Sequence, residues 1–174
     1  MLKHARDCGN AFGYLRQSEI YALAALACIL PDNPKVVNIG AGTGTSGLAF
    51  MQARDDLQLY TIEIHKESPT GGLKNERNAF EKAGLWGQER HHQILGDSRK
   101  VKWEHGLVDM VFIDGDKAYH RDIAVWRPRI KDGGVIGFHD YGGSMWPHLA
   151  TLIDREMEGY EMFLHIDTVV AYWV

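Results

Sequence analysis

The 174-residue chain has only two cysteines, Cys8 and Cys28. Two thiols do not make a disulfide framework, and free thiols fit a reducing, cytoplasmic setting. An apolar leader is missing as well: the opening residues MLKHARDCGN carry charges but no hydrophobic stretch of the signal-peptide kind. The most apolar run, Ile20 to Leu30, is too short to cross a bilayer and suits a buried helix. Basic residues are not in excess. Nineteen Lys and Arg against 23 Asp and Glu give a formal net charge of −4, which argues against a DNA or RNA substrate. No internal repeat, low-complexity tract or linker interrupts the chain. Its length allows one full hydrophobic core and not two. These absences leave a single domain over residues 1–174, with neither a membrane nor a nucleic acid as partner.

What the chain does have is glycine at strand ends. Lys35 to Phe50 reads KVVNIGAGTGTSGLAF. Val36, Val37 and Ile39 form a short β-branched run, as in a strand buried on both faces. Gly40, Gly42 and Gly44 then punctuate a turn, and Gly47 to Met51 is helix-compatible. Glycine lets a ligand approach the main chain closely, and the free N–H groups of a helix start favour a nucleotide or a carboxylate. Leu59 to Ile64 (LYTIEI) is the next strand and delivers Glu63 about 20 residues after the turn, the spacing at which an acid accepts hydrogen bonds from a ribose. Together these features point to a nucleoside cofactor.

The remaining elements follow in alternation. Met1 to Arg16 carries little periodicity and reads as a loose segment over about residues 1–17, with Phe12 to Leu15 able to act as a lid. Ser18 is the expected N-cap of a helix bearing Ile20, Leu23, Ala24, Ala27 and Leu30 at helical spacing, ended by Pro31 and Pro34. Leu73 to Ala83 is a helix with Gly84 as its C-cap. His91 to Leu95 and Val108 to Ile113 are the third and fourth strands. A short helix is expected from Asp97 to Trp103, and another over Ile123 to Ile130. Val135 to Phe138 is the fifth strand. Trp146 to Glu158 reads as a helix, and Tyr160 to Ile166 with Val169 to Val174 as an antiparallel pair. Strands alternating with helices predict an α/β, doubly wound, Rossmann-like, mostly parallel seven-stranded sheet with a C-terminal hairpin. In such a sheet ligands bind outside the carboxyl ends of the strands. Acids cluster there: Glu63, Asp97, Asp114, Asp116 and Asp140.

The stretch from Asn38 to Ser46, NIGAGTGTS, resembles the first motif of class I S-adenosylmethionine (SAM) methyltransferases and lacks the G-x-G-x-x-G of pyrophosphate binders. The resemblance runs through most of the chain. It implies that Gly40, Ala41, Gly42, Thr43 and Gly44 hold SAM, that Glu63 binds its ribose beside Ile64, and that Asp97 and Ser98 border the adenine with Asp114 nearby. The F-I-D-G-D at 112–116 followed by G-G-V-I-G-F-H-D-Y at 133–141 is similar to the metal-dependent O-methyltransferases, of the catechol and caffeoyl-CoA types and the small antibiotic-biosynthesis enzymes. That likeness implies a divalent metal, Mg²⁺ or Mn²⁺, on Asp114, Asp140 and His139. His139 departs from the acid found in many members and shifts preference toward Mn²⁺ or another transition ion.

The chemistry implied is methylation of a small hydroxylated acceptor. A metal lowers the pKa of the hydroxyl and fixes its oxygen, a base removes the proton, and the oxygen attacks the sulfonium methyl in line. Lys117 and Asp116 are both candidates for the base, with His120 as a further one. A lysine in this role must first shed its own proton. Transfer to nitrogen or carbon without metal, a non-catalytic SAM-binding protein and an NAD-dependent oxidoreductase stay as alternatives. Pairing into a homodimer through an apolar edge is also expected. Tyr14, Tyr141 and Trp146 are candidates for the acceptor wall.

Overall fold

The computed structural model of the chain describes residues 14–69 and 71–174. Its elements are α1 (Gln17–Ile29), β1 (Lys35–Ile39), α2 (Thr45–Ala53), β2 (Gln58–Glu63), α3 (Leu73–Ala83), β3 (His91–Leu95), β4 (Val108–Ile113), α4 (Tyr119–Trp126), β5 (Ile130–Phe138), α5 (His148–Glu156), β6 (Met162–Ile166) and β7 (Val169–Trp173). A single 3₁₀ turn, Arg127–Arg129, follows α4. The seven strands form one sheet in the order β3-β2-β1-β4-β5-β7-β6. All neighbours are parallel until β7, which runs antiparallel to both β5 and β6. The predicted α/β sheet with its terminal hairpin is therefore the observed one.

Sequence explains why the sheet is buried on both sides. In β1, Val36 faces one core and Val37 the other; Met110 and Val111 split the same way in β4. One core gathers Ile20 and Leu23 of α1, Leu48 and Phe50 of α2 and Phe80 of α3. The opposite core gathers Ile123 and Trp126 of α4 with Leu149 and Ile153 of α5. Each fully buried side chain of this size stabilises the fold by ~1.5–3 kcal/mol, so continuous apolar strands and amphipathic helices fix the layers.

Several boundaries differ from the sequence expectation. The N-cap is Arg16, not Ser18: the Arg16 amide donates to Glu19 Oε2 at 2.7 Å, and the Ser18 hydroxyl turns to Asp167. The tertiary partner in the β6–β7 turn outcompetes the local cap. No helix forms between Asp97 and Trp103. Residues 98–100 make a turn, in which the Asp97 carbonyl accepts from the Lys100 and Val101 amides. Strand β5 begins at Ile130, before the Lys131–Gly134 turn, and absorbs the glycines as a bulge between its pairings to Val108 and Met110. Helix α4 (Tyr119–Trp126) begins ahead of the expected Ile123 and stops before Ile130, where Pro128 turns the chain into a 3₁₀ turn, and α5 (His148–Glu156) starts after Pro147 and lies inside the expected Trp146 to Glu158. Of the expected N-terminal lid, residues 1–13 lie outside the described residues; Leu15 is buried and Gln17 is already helical. Among the described residues, no helix is long and apolar enough to cross a membrane.

Candidate active site

Strand order reverses between β1 and β4, so the connections leaving their carboxyl ends diverge and open a crevice. The Gly-rich turn after β1 lines it. Gly40 has φ +96°, and a Cβ there would run into the carbonyl of Asp114 across the crevice. Only glycine lets the ends of β1 and β4 come this close. Gly42 (φ +49°) and Gly44 (φ +88°) continue the turn into α2. The carbonyl of Gly42 accepts from the Gly72 amide at 2.9 Å, which ties the turn to the start of α3.

Two cavities meet at this turn. The first, about 300 Å³, is lined by Gly40, Gly42, Glu63, Ile64, Asp97, Ser98, Arg99, Asp114 and Asp116 among others. Glu63 accepts from the amides of Ala41 and His65, each at 2.9 Å, so its carboxylate stands at the cavity wall. Arg99 holds Asp97 at 2.8 Å and Asp116 at 3.0 Å. Its guanidinium keeps the Asp97 carboxyl down at about 2. The Ser98 hydroxyl donates to buried Asp122 at 2.5 Å, and burial raises the Asp122 pKa despite that bond.

The second cavity, about 510 Å³, shares Gly40, Gly42, Asp114 and Gly115 with the first. It adds Thr43, Lys117, His139 and Asp140, and its outer wall is Tyr14, Leu15, Met145 and Trp146. The Lys117 ammonium lies 2.5 Å from Asp140 Oδ2, 3.5 Å from Asp114 Oδ1 and 3.3 Å from the Tyr119 hydroxyl. His139 Nδ1 lies 3.2 Å from Asp114 Oδ1 and 3.6 Å from Asp140 Oδ1. Behind it, His139 Nε2 faces Glu19 Oε2 at 3.6 Å. Burial works against a charge on His139, but Asp114, Glu19 and Asp140 outweigh it and push its pKa up to about 10. Burial likewise opposes ionisation of Glu19, yet His139, Thr168 and the Arg16 amide hold it down to about 2. Asp114 is lowered by His139 and Lys117 against a large burial penalty. Asp140 takes a left-handed backbone, φ +60°, uncommon for a residue with a side chain. Its carbonyl accepts from Gly143 in the turn that follows.

A family model described as a methyltransferase domain matches residues 37–141, which take in both cavities' glycine turn and the ends of β4 and β5. The chain belongs to this methyltransferase family. Solved structures of O-methyltransferases share its fold. One is a protein assigned as a caffeoyl-CoA O-methyltransferase from Staphylococcus aureus, 16% identical over 99% of this chain and 90% of that chain, with a TM-score of 0.77. The O-methyltransferase TomG from Streptomyces achromogenes, involved in tomaymycin synthesis and solved with SAM, is 15% identical over 99% and 89%, TM-score 0.77. The S-adenosylhomocysteine (SAH)-bound methyltransferase PaMTH1 from Podospora anserina is 19% identical over 99% and 87%, TM-score 0.69. No curated protein matches the sequence.

The methyltransferase sheet brings the residues singled out in the sequence into two groups. Gly40, Gly42, Glu63, Ile64, Asp97, Ser98, Asp114 and Asp116 line the first cavity. Ala41, Thr43, Lys117, His139 and Asp140 line the second. Gly44 borders neither and instead packs its Cα against Glu76 of α3. Asp116 and Lys117, adjacent in sequence, part company: Asp116 turns to Arg99 and Lys117 to Asp114 and Asp140. Tyr141 lines neither cavity: it packs against the core on the α5 side, its hydroxyl donating to Asp154 at 2.8 Å. Three residues of this neighbourhood escaped the sequence reading. Glu19 lies some 120 residues from His139 and looks like a first-turn helix acid (residues 19 and 139). Arg99 has no motif signal. Tyr119 looks like an ordinary core aromatic, and burial raises its pKa well above that of a free tyrosine.

Proposed function

We propose that this methyltransferase transfers the methyl group of SAM to the hydroxyl of a small acceptor, with a divalent cation at the ends of β4 and β5. The observation that carries the reading is the junction of the two cavities at Gly40, Gly42, Asp114 and Gly115. A nucleoside in the first cavity, with its ribose at Glu63 and its base near Asp97 and Ser98, would present its sulfonium to the second. There Lys117 waits beside space for an acceptor.

The residues present fit a metal. One ligand atom each from Asp114, His139 and Asp140 lies within 4.8 Å of the others. The separations of His139 Nδ1 from Asp114 and Asp140, 3.2 and 3.6 Å, are near the ~3.4 Å edge of a tetrahedral site with bonds of about 2.1 Å. Asp140 divides its oxygens, Oδ1 toward His139 and Oδ2 toward Lys117. One carboxylate would therefore serve both a bound cation and the lysine. A bound divalent cation would polarise the acceptor hydroxyl and fix its oxygen. Lys117, once uncharged, takes the hydroxyl proton, and Tyr119 and Asp140 hold its Nζ in place meanwhile. Tyr14, Leu15, Met145 and Trp146 line the same cavity and would position the acceptor, and positioning does much of the work. Asp116, tied to Arg99 and facing the other cavity, is the weaker candidate for the base.

Calorimetric titration with SAH, run with Mg²⁺, with Mn²⁺ and with chelator, tests the cofactor. The expected result is SAH binding; binding of NAD instead would overturn the reading. Turnover of hydroxylated acceptors tests the rest. Asp140→Ala should lose metal-stimulated activity. Lys117→Ala should lose ~10²–10⁴-fold in kcat, the usual contribution of a general base, and keep its SAH affinity. Equal turnover with and without chelator would remove the metal from the mechanism.

A further inference from the structure

Glu19 has no role in the reading above, yet it is 2% exposed and stands directly behind His139. Its anchoring is unusually complete for an acid in the first turn of a helix. Oε1 accepts from the Thr168 amide at 3.0 Å and from the Thr168 hydroxyl at 2.6 Å. Oε2 accepts from the Arg16 amide at 2.7 Å and faces His139 Nε2 at 3.6 Å. Helix α1 and the β6–β7 turn are thus both spent on fixing one carboxylate against one imidazole, itself 6% exposed. Imidazoles that ligate metals are commonly oriented by a carboxylate on the far nitrogen, which fixes the tautomer and raises ligand basicity.

We propose that Glu19 is a positioning residue that keeps the proton of His139 on Nε2 and leaves Nδ1 to ligate a transition metal, so that this site prefers Mn²⁺ or Co²⁺ to Mg²⁺. The inference rests on the metal reading above and deepens it. Its physical basis is the difference between the donors. Mg²⁺ takes hard oxygens and keeps its waters, so Asp114 and Asp140 suffice for it. Imidazole nitrogen adds little for Mg²⁺ and much for the later divalent ions. Glu19 therefore acts on the ratio of the two affinities rather than on both.

Glu19→Gln is the informative change. The two donors of Thr168 keep an oxygen at Oε1, so the new amide nitrogen takes the place of Oε2, gives up the bond from the Arg16 amide and offers His139 Nε2 a proton. That favours a proton on Nδ1, the wrong nitrogen. The measurement is titration of wild type and Glu19→Gln with CoCl₂, followed by visible absorption, and with MgCl₂, followed by calorimetry. SAH affinity and the thermal melt, read alongside, report that the variant is folded. The expected result is tighter binding of Co²⁺ than of Mg²⁺ by wild type. Glu19→Gln should lose ~10–100-fold in Co²⁺ affinity, the usual cost of removing such a partner, with Mg²⁺ affinity unchanged. Equal Co²⁺ affinity in both proteins overturns the role of Glu19 and leaves the metal reading standing. Absence of Co²⁺ and Mg²⁺ binding by wild type overturns both. Should Glu19→Gln not fold, ¹⁵N shifts of the His139 imidazole in Co²⁺-free, Zn²⁺-loaded wild type decide the matter. A proton on Nε2 supports the proposal and a proton on Nδ1 overturns it.

Discussion

At Gly40 one methyl group has nowhere to go. The residue sits at φ +96°, and an added Cβ would meet the Asp114 carbonyl. The left-handed backbone alone costs about 1–3 kcal/mol for a residue with a side chain, and the clash must also push β1 and β4 apart. Gly40→Ala should therefore lose at least that much in urea unfolding, and it should lose SAH binding because the residue lines both cavities. Gly42 has open space around it, so Gly42→Ala should cost less in stability. The Asp97–Arg99 pair yields a pH prediction. Asp97 falls from 3.8 unfolded to about 2 folded. A depressed carboxylate stabilises the fold above its unfolded pKa and stops doing so as pH drops through its folded one. The stability gap between wild type and Arg99→Leu should therefore be widest above about pH 4 and close toward pH 2, as followed by urea midpoints across that range.

Helix α3 shows how an element away from the two cavities holds the glycine turn. Its Glu76 is fully buried. The Thr61 hydroxyl of β2 donates to it at 2.7 Å, and so does the Gln93 amide of β3, also at 2.7 Å. Gly44 and Gly47 lie against its backbone and side chain. Those two glycines thus serve packing against α3, not only ligand approach. Truncation leaves the buried Thr61 hydroxyl without its acceptor and the Gln93 amide with only the Leu73 carbonyl, at ~1–3 kcal/mol for each lost bond. Glu76→Ala should then lose about 2–5 kcal/mol in chemical denaturation. Glu76→Gln, which keeps one acceptor and the volume, should lose less. The same logic explains the cap of α1. Glu19 caps its own helix locally and reaches His139 and Thr168 at long range, so a helix signal in the sequence hides a partner of the candidate site.

For the whole molecule, the sheet order sets where a ligand can act. Only the native arrangement brings the ends of β1, β2, β3 and β4 around the first cavity, so a cofactor bound there stabilises the folded state alone. At a hundredfold excess over its dissociation constant SAH should add about 2.7 kcal/mol. For a chain of this size that raises the melting temperature by roughly 5–11 °C. A thermal shift with SAH and none with NAD is the expected pattern. Gly40→Ala, if it folds, should show no shift with either.

Legible in the sequence were the layers, the seven strands with their terminal antiparallel pair, the glycine turn and the residues at each strand end. Those features are local: β-branched runs, helical spacing and glycines at left-handed positions act over a few residues, and the chain's hydrophobic pattern repeats them in alternation. Tertiary structure alone decided the rest. It sent Asp116 to Arg99 and Lys117 to Asp114 and Asp140, although the two are neighbours in the chain. It took Ser18 from its expected cap to Asp167, and it set Glu19 behind His139. Each of these turns on contacts between segments distant in sequence. Side-chain partners at that range are chosen by the packing of the sheet and its hairpin, which no local pattern encodes.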